Sequence, residues 1–459
     1  MPVNSFENYP MSWKPDIDRN RKTLYRVLAK QLEEDIVRGL LLPGTKLPPQ
    51  RELADYLDIN VSTVSKAMKI CELKGLLSST IGSGTFVAFD SLSNAYLLTE
   101  GNPNRLIEMG ATVPENSANT SLLALMKNML GEPSAERWFS YNRPGDTLWH
   151  KDAAVRLLKR CGVETEYDSI LFSHGGQNAL TAILAGLFHQ GDKIGVDPHT
   201  YSGIKTSAAM LGIQLIPIKQ TDSQMDVEAL NAACQSDNIK GIYIIPTHHN
   251  PTTHTMTIQT RKAVAETARK QGVLIIEDGT YQLMCKSMPS VSSFAPERSI
   301  YIASLSKAIA PGLRMAYISI PKQFKLLVSG ALYNLNVSVT PMMAELTARV
   351  VVSGQLDVIL ENHKINTRAR NRLVDKYMEG FDCRGGDTCI FRWLYLPPNI
   401  TGEEFEKKAL SQGIQVYAAE RFVVGAAIPD RAIRLAICAP KTMNELEKGL
   451  AILRRLITE

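Results

Sequence analysis

Residues 304–317 read SLSKAIAPGLRMAY. Two hydroxyls, Ser304 and Ser306, flank the approach to Lys307, and Arg314 follows after an apolar turn broken by Pro311 and Gly312. The preceding run, SIYIAS at 299–304, is apolar and β-rich, so both cations fall just beyond a strand end. Two cations among apolar residues are costly to bury without an anion to meet them. The stretch therefore asks for a bound group.

Working outward, further β-rich runs appear at 169–173 (SILFS), 193–196 (KIGV), 239–246 (IKGIYIIP), 273–278 (VLIIED) and 315–320 (MAYISI). Helical segments such as NALTAILAGLF (178–188) and TRKAVAETARK (260–270) lie between several of them. This alternation predicts α/β units around a buried, mostly parallel sheet, with functional residues in the loops beyond the strand ends. His174, Gly175, Gly176 and Gln177 open a helix there, where free N–H groups can seat a phosphate. Tyr201 follows GVDPH, Asn250 precedes Pro251, and Asp278 is followed by Tyr281. Singly, each is more readily a turn, a cap or a packing residue. In this order they match the needs of pyridoxal 5′-phosphate. Its aldehyde needs an amine of lowered pKa for a Schiff base. Its ring nitrogen needs an anion, its face an aromatic, and its phosphate an Arg fork with hydroxyls and backbone donors.

From about Glu108 to the C-terminus the chain resembles the fold-type I aminotransferases. The resemblance implies an α/β domain with large and small lobes and a mostly parallel sheet. It makes Lys307 the Schiff-base lysine and Asp278 the partner of the pyridine nitrogen. Asn250 and Tyr281 would bind the ring hydroxyl, and Tyr201 would stack on the ring. Gly176, Gln177, Ser304 and Arg314, with Ser306, would hold the phosphate. Tyr141, in WFSYNRPGD, would reach the neighbouring subunit's phosphate, implying a homodimer. Arg434, in RAIRLAIC, would clasp the α-carboxylate of an amino acid.

The first ninety residues have another character. Leu24, Leu28, Leu32 and Ile36 recur every fourth residue, with Gly39 as a stop, predicting an amphipathic helix. QRELADYLDI is a second helix with Leu53, Ala54 and Leu57 inward, and Asn60 caps a third from Val61 to about Lys74. The third helix's apolar stripe is read as Val61, Val64, Met68 and Cys71. LLSSTIGSGTFVAF alternates across a Gly-Ser-Gly tip like a β-hairpin. Here the chain resembles the GntR family of bacterial transcription factors. The resemblance implies a winged helix-turn-helix that contacts operator DNA through Arg51, Ser62, Thr63, Ser65 and Gly82, with Lys66 and Lys69 on phosphates. An arginine is common in that family where this chain has Val61.

A GntR-type head on an aminotransferase-like body is the layout of the MocR subgroup of GntR regulators. The expected domains are 1–90, a winged helix-turn-helix; 91–107, a linker; and 108–459, a pyridoxal-phosphate-binding effector and dimerisation domain. The implied function is a transcription regulator that binds operator DNA and responds to pyridoxal phosphate or to an amino-acid or amine effector forming an aldimine. The alternative is an active aminotransferase with a DNA-binding appendage. Where the subgroup commonly shows His-Gln-aromatic-Pro, this chain has His248, His249, Asn250 and Pro251, and its Asp278-Gly-Thr-Tyr281 resembles working aminotransferases more than the subgroup's usual Asp-Asp-Tyr.

The bulk numbers agree with a globular protein: 459 residues, 44% hydrophobic, 21% charged, net charge +5. No apolar run reaches membrane-span length, so a cytoplasmic protein is expected. The seven cysteines are scattered without a CxxC pair, and His248, His249 and His254 fit no zinc spacing, so no metal is expected.

Overall fold

The structure, a computed structural model, describes residues 11–17, 23–37, 40–41, 45–74, 76–80, 84–87, 106–140, 147–285 and 288–459. Tyr141 and Gly82, both named from the sequence, lie outside the described residues, as does most of the 91–107 segment.

The head contains α1 (Leu24–Val37), α2 (Gln50–Leu57) and α3 (Val61–Leu73), then a hairpin of β1 (Leu77–Thr80) and β2 (Gly84–Val87). The four-residue spacing in α1 buries Leu28, Leu32 and Ile36 against Leu53, Leu57, Val64, Met68 and Cys71. Asn60 caps α3 by accepting the Ser62 N–H at 2.8 Å, an interaction of about 1 kcal/mol. The hairpin is antiparallel, from Leu77 opposite Val87 to Thr80 opposite Gly84. Its outer edge is met by Leu47, whose N–H donates to the Thr85 carbonyl at 2.8 Å. One expectation needs correction. Val61 does not join the buried stripe of α3; it is 38% exposed, and Ala67 takes the inward place beside Val64 and Met68.

The second part begins with the short strand β3 (Ile107–Glu108), followed by α4 (Ala118–Leu130), α5 (Leu148–Arg160), β4 (Ile170–Ser173) and α6 (Gly175–Leu187). A seven-stranded sheet runs in the order 170–173, 316–319, 299–304, 274–278, 241–244, 193–196 and 214–217. Only the strand Ala316–Ser319 is antiparallel to its neighbours. The continuous apolar runs fit this, because helices cover both faces of such a sheet. A smaller antiparallel sheet of 383–384, 391–395, 432–436 and 417–418 forms the second lobe, with helices at 355–377, 402–411 and 443–458. The strand at 107–108 belongs to that lobe, pairing in parallel with Ile414–Gln415.

Candidate cofactor site and nucleic-acid interface

The strand ends converge as the pattern of runs predicts. Ser173 ends β4, and Gly175 and Gly176 begin α6 with their N–H groups unpaired within the helix. Gly175 has φ +79°, and a Cβ there would stand 2.9 Å from Arg314 Nη2. A Cβ on Gly176 would meet the Ser304 side chain at 3.2 Å. The lack of side chains at these two positions thus leaves a cradle between the helix start, Ser304 and Arg314. Arg314 donates to the His174 carbonyl at 3.1 Å and lies 3.4 Å from the Ser306 hydroxyl. It does so from a left-handed backbone (φ 46°, ψ 46°) that is unfavourable for a residue with a Cβ, strain of the kind that concentrates at ligand sites.

Asp278 ends its strand and accepts hydrogen bonds from Tyr243 Oη at 2.9 Å and from Thr280 N at 3.0 Å, and one from the Thr280 hydroxyl. Burial pushes the Asp278 carboxyl up, and these donors oppose that shift by favouring the anion. Burial pushes the Tyr201 phenol up to about 12, with the Asp278 charge adding to it. Tyr201 Oη donates to Gln177 Oε1 at 3.0 Å, while Gln177 Nε2 donates to Gly203 O and Ser207 Oγ. Tyr281 is buried edge-on to Phe391, with ring centroids 5.4 Å apart. Lys307 donates to the Thr112 carbonyl, and its amine is pushed down to about 8, first by burial and then by the Arg434 and Arg314 charges.

Arg434 lies in the strand Ala432–Ala436 and is only 4% exposed, so it faces the interior and not solvent. Its Nη1 donates to Asn250 Oδ1 and its Nη2 to the Gly110 carbonyl, both at 2.6 Å. Its guanidinium stacks 4.6 Å from the Phe422 ring, and its buried Nε has no hydrogen-bond partner among the described residues. Burial lowers its pKa to about 10, still charged at neutral pH.

Four contributors escaped the sequence reading. Thr280 was signalled, since an Asp often bonds the backbone two residues on. Tyr243 was hidden inside an apolar strand. Gly110 and Thr112 act through carbonyls, which any residue supplies. The histidines pack locally: His249 stacks on His254 at 4.4 Å, the Thr252 hydroxyl lies 2.7 Å from each Nδ1, and His248 Nε2 lies 3.0 Å from Cys285 Sγ.

In the head, Ser62, Lys66 and Lys69 are exposed on α3 and Arg51 on α2; Thr63 and Ser65 are half-buried. Ser65 is already engaged, donating to Gln50 Oε1 at 2.5 Å.

The family model for aminotransferase class I and II matches residues 111–453, and that for bacterial regulatory proteins of the gntR family matches 24–87. The HTH-type transcriptional regulator YdeF of Bacillus subtilis, itself uncharacterized, is 57% identical over 460 residues, covering 100% of each chain. The chain belongs to the gntR regulators, in their aminotransferase-fused MocR branch. Another uncharacterized HTH-type regulator, YjiR of Escherichia coli, is 25% identical across 87% of this chain and 92% of its own. Among solved structures, an archaeal alanine:glyoxylate aminotransferase matches with TM-score 0.71 at 21% identity, covering 77% of this chain and 91% of that one. Pyrococcus horikoshii kynurenine aminotransferase matches with TM-score 0.70 at 20% identity, covering 80% and 96%. These enzymes share the fold of the second part of this gntR regulator. Among the described residues, no helix is long and apolar enough to cross a membrane.

Proposed function

We propose that this regulator holds pyridoxal 5′-phosphate at Lys307 and reads an amino-acid effector through its carboxylate at Arg434. The observation that carries this is the double engagement of Arg434, which bonds Asn250 in the site and Gly110 just after the segment leading from the head. When bound, the cofactor supplies an aldehyde to amines and an electron-withdrawing ring. Lys307 would hold the aldehyde carbon, and Asp278 would face the ring nitrogen, its negative charge kept by Tyr243 and Thr280. Tyr201 would cover the ring face, with Asn250 and Tyr281 at the ring hydroxyl. Gly176, Gln177, Ser304, Ser306 and Arg314 would receive the phosphate, the α6 N-terminus adding its positive dipole end.

The way a signal leaves the site follows from the strap at 107–112. Its backbone is bound to the small lobe: Ile107 N donates to Gly413 O at 2.8 Å, Met109 N to Gln415 O at 2.8 Å, and Ala436 N to Met109 O at 2.7 Å. Glu108 stiffens the turn by accepting from Gly110 N at 2.6 Å and Ala111 N at 2.8 Å. A carboxylate docking on Arg434 with both oxygens takes Nη1 with Nη2, or Nε with Nη2. Each Nη carries two protons, so the strap is freed at the point where the linker joins it when the carboxylate takes the Nη2 proton that Gly110 O accepts. The effector shifts the DNA-binding state only in so far as it binds the two strap positions with different affinity.

Tyr141 is proposed to complete the site of a second copy. Exposed Phe139, Leu148 and Trp149 bracket the 141–146 segment, an apolar surface of the kind another subunit covers. The proposed boundaries remain 1–90, 91–107 and 108–459. DNA binding and seven free cysteines support a cytoplasmic protein.

Two measurements bear on this reading. Capture of pyridoxal phosphate by cofactor-free protein needs the neutral Lys307 amine. With its pKa near 8, the neutral fraction rises about tenfold per pH unit below that value and saturates above it. The capture rate is expected to follow, rising about tenfold from pH 6 to 7 and levelling off above about pH 8. A rate still climbing tenfold per unit near pH 10 contradicts the lowered pKa. For the head, Thr63→Ala or Arg51→Ala is expected to weaken operator binding by about 1–3 kcal/mol at matched salt, leaving cofactor absorbance unchanged. Normal binding by either variant removes that residue from the DNA contacts.

A further inference from the structure

Val61 is the first residue of α3 and, among the described residues of the head, one of the few large apolar side chains left exposed. Its isopropyl group packs into no core. Val64, Ala67, Met68 and Cys71 fill that role, and the neighbouring exposed positions are Ser62, Lys66 and Lys69. A β-branched residue there does nothing for helix propensity. Asn60 fixes the start of the helix, and the Ser65–Gln50 bond ties α3 to α2, so Val61 stands at a rigid position. Helices of this kind present their N-terminal residues to base edges in the major groove. The only apolar feature on those edges is the C5 methyl of thymine. An arginine at this position, common in the resembled family, offers a fork of donors suited to guanine; valine offers none.

We propose that Val61 reads a thymine methyl in each operator half-site and is a specificity-determining residue of this regulator. Lys66 and Lys69 would set the helix against phosphates, which position it without selecting a base. Ser65, held by Gln50, has a lone pair rather than a proton to offer, so Val61 carries the discrimination at its own base pair.

The inference rests on DNA recognition by α3, and one experiment separates the two. The full-length cofactor-loaded protein is used to select binding sites from a randomised duplex library. Each thymine of the enriched site is then replaced by uracil, which removes only the methyl group. Wild-type protein is expected to lose affinity about fourfold per half-site at one position, the value of about one buried methylene. Val61→Ala should bind the thymine site more weakly and no longer distinguish it from the uracil site. Its salt dependence should match wild type, which shows that the head still docks on phosphates. If wild type is indifferent to uracil at every position, or Val61→Ala is as sensitive as wild type at the same one, the proposal is overturned. A selection that enriches no sequence overturns the reading of α3 itself.

Discussion

Lys307→Ala is expected to abolish the visible absorption band of the cofactor-loaded protein completely. The amine of Lys307 is the group whose lowered pKa and strand-end position fit it for covalent capture, and alanine offers no nucleophile. The cradle of Gly175, Gly176, Ser304 and Arg314, proposed to receive the phosphate, is untouched by the change. Pyridoxal phosphate should therefore still associate, but exchange freely and wash out on gel filtration, whereas wild type keeps it. Loss of the Lys307 bond to the Thr112 carbonyl also removes one anchor of the strap. The variant is thus expected to bind operator with an affinity insensitive to added cofactor. A Lys307→Ala protein that retains the band after gel filtration contradicts the assignment of the lysine.

How much of this could be read beforehand depends on which forces carry the information. The strands at 170–173, 193–196, 241–244, 274–278, 299–304 and 316–319 were legible because buried strands need continuous apolar runs. Asp278, Lys307 and Arg314 were legible because charged residues next to such runs are costly and so conspicuous. The strand at 214–217 escaped because QLIP is too short and mixed to show a period. The small-lobe sheet escaped for the same reason, two of its four strands having two residues each. Val61 was misread because a valine on a helix is by default a core residue, and only its exposed place on α3 reverses that. The most consequential omission was the strap. Gly110 and Thr112 contribute backbone carbonyls, and no side-chain pattern announces which carbonyl an arginine across the fold will find. Gly110 has a reason to be glycine, since a Cβ would lie 2.6 Å from the Tyr417 ring, but that neighbour is some three hundred residues away along the chain.

Arg434→Ala carries the second large effect. A carboxylate in this site would meet a buried guanidinium with one unpartnered N–H, and truncating one side of such a pair costs about 2–5 kcal/mol, at least about thirtyfold in effector affinity. Arg434→Lys keeps the charge but not the planar fork, so it should recover only part of the loss. Cofactor absorbance should survive both changes, because Lys307 and the phosphate cradle are intact.

The most direct test is an operator titration of the cofactor-loaded, full-length protein across a panel of amino acids, with wild type and Arg434→Ala side by side and keto-acid formation followed in the same samples. At least one amino acid is expected to shift the wild-type operator affinity by about 5- to 150-fold, the usual range of coupling between two sites. Arg434→Ala should show no shift, and neither protein should sustain turnover. An Arg434→Ala protein that responds as wild type does, or a wild type whose affinity no amino acid moves while keto acid accumulates over many cycles, contradicts effector sensing through Arg434.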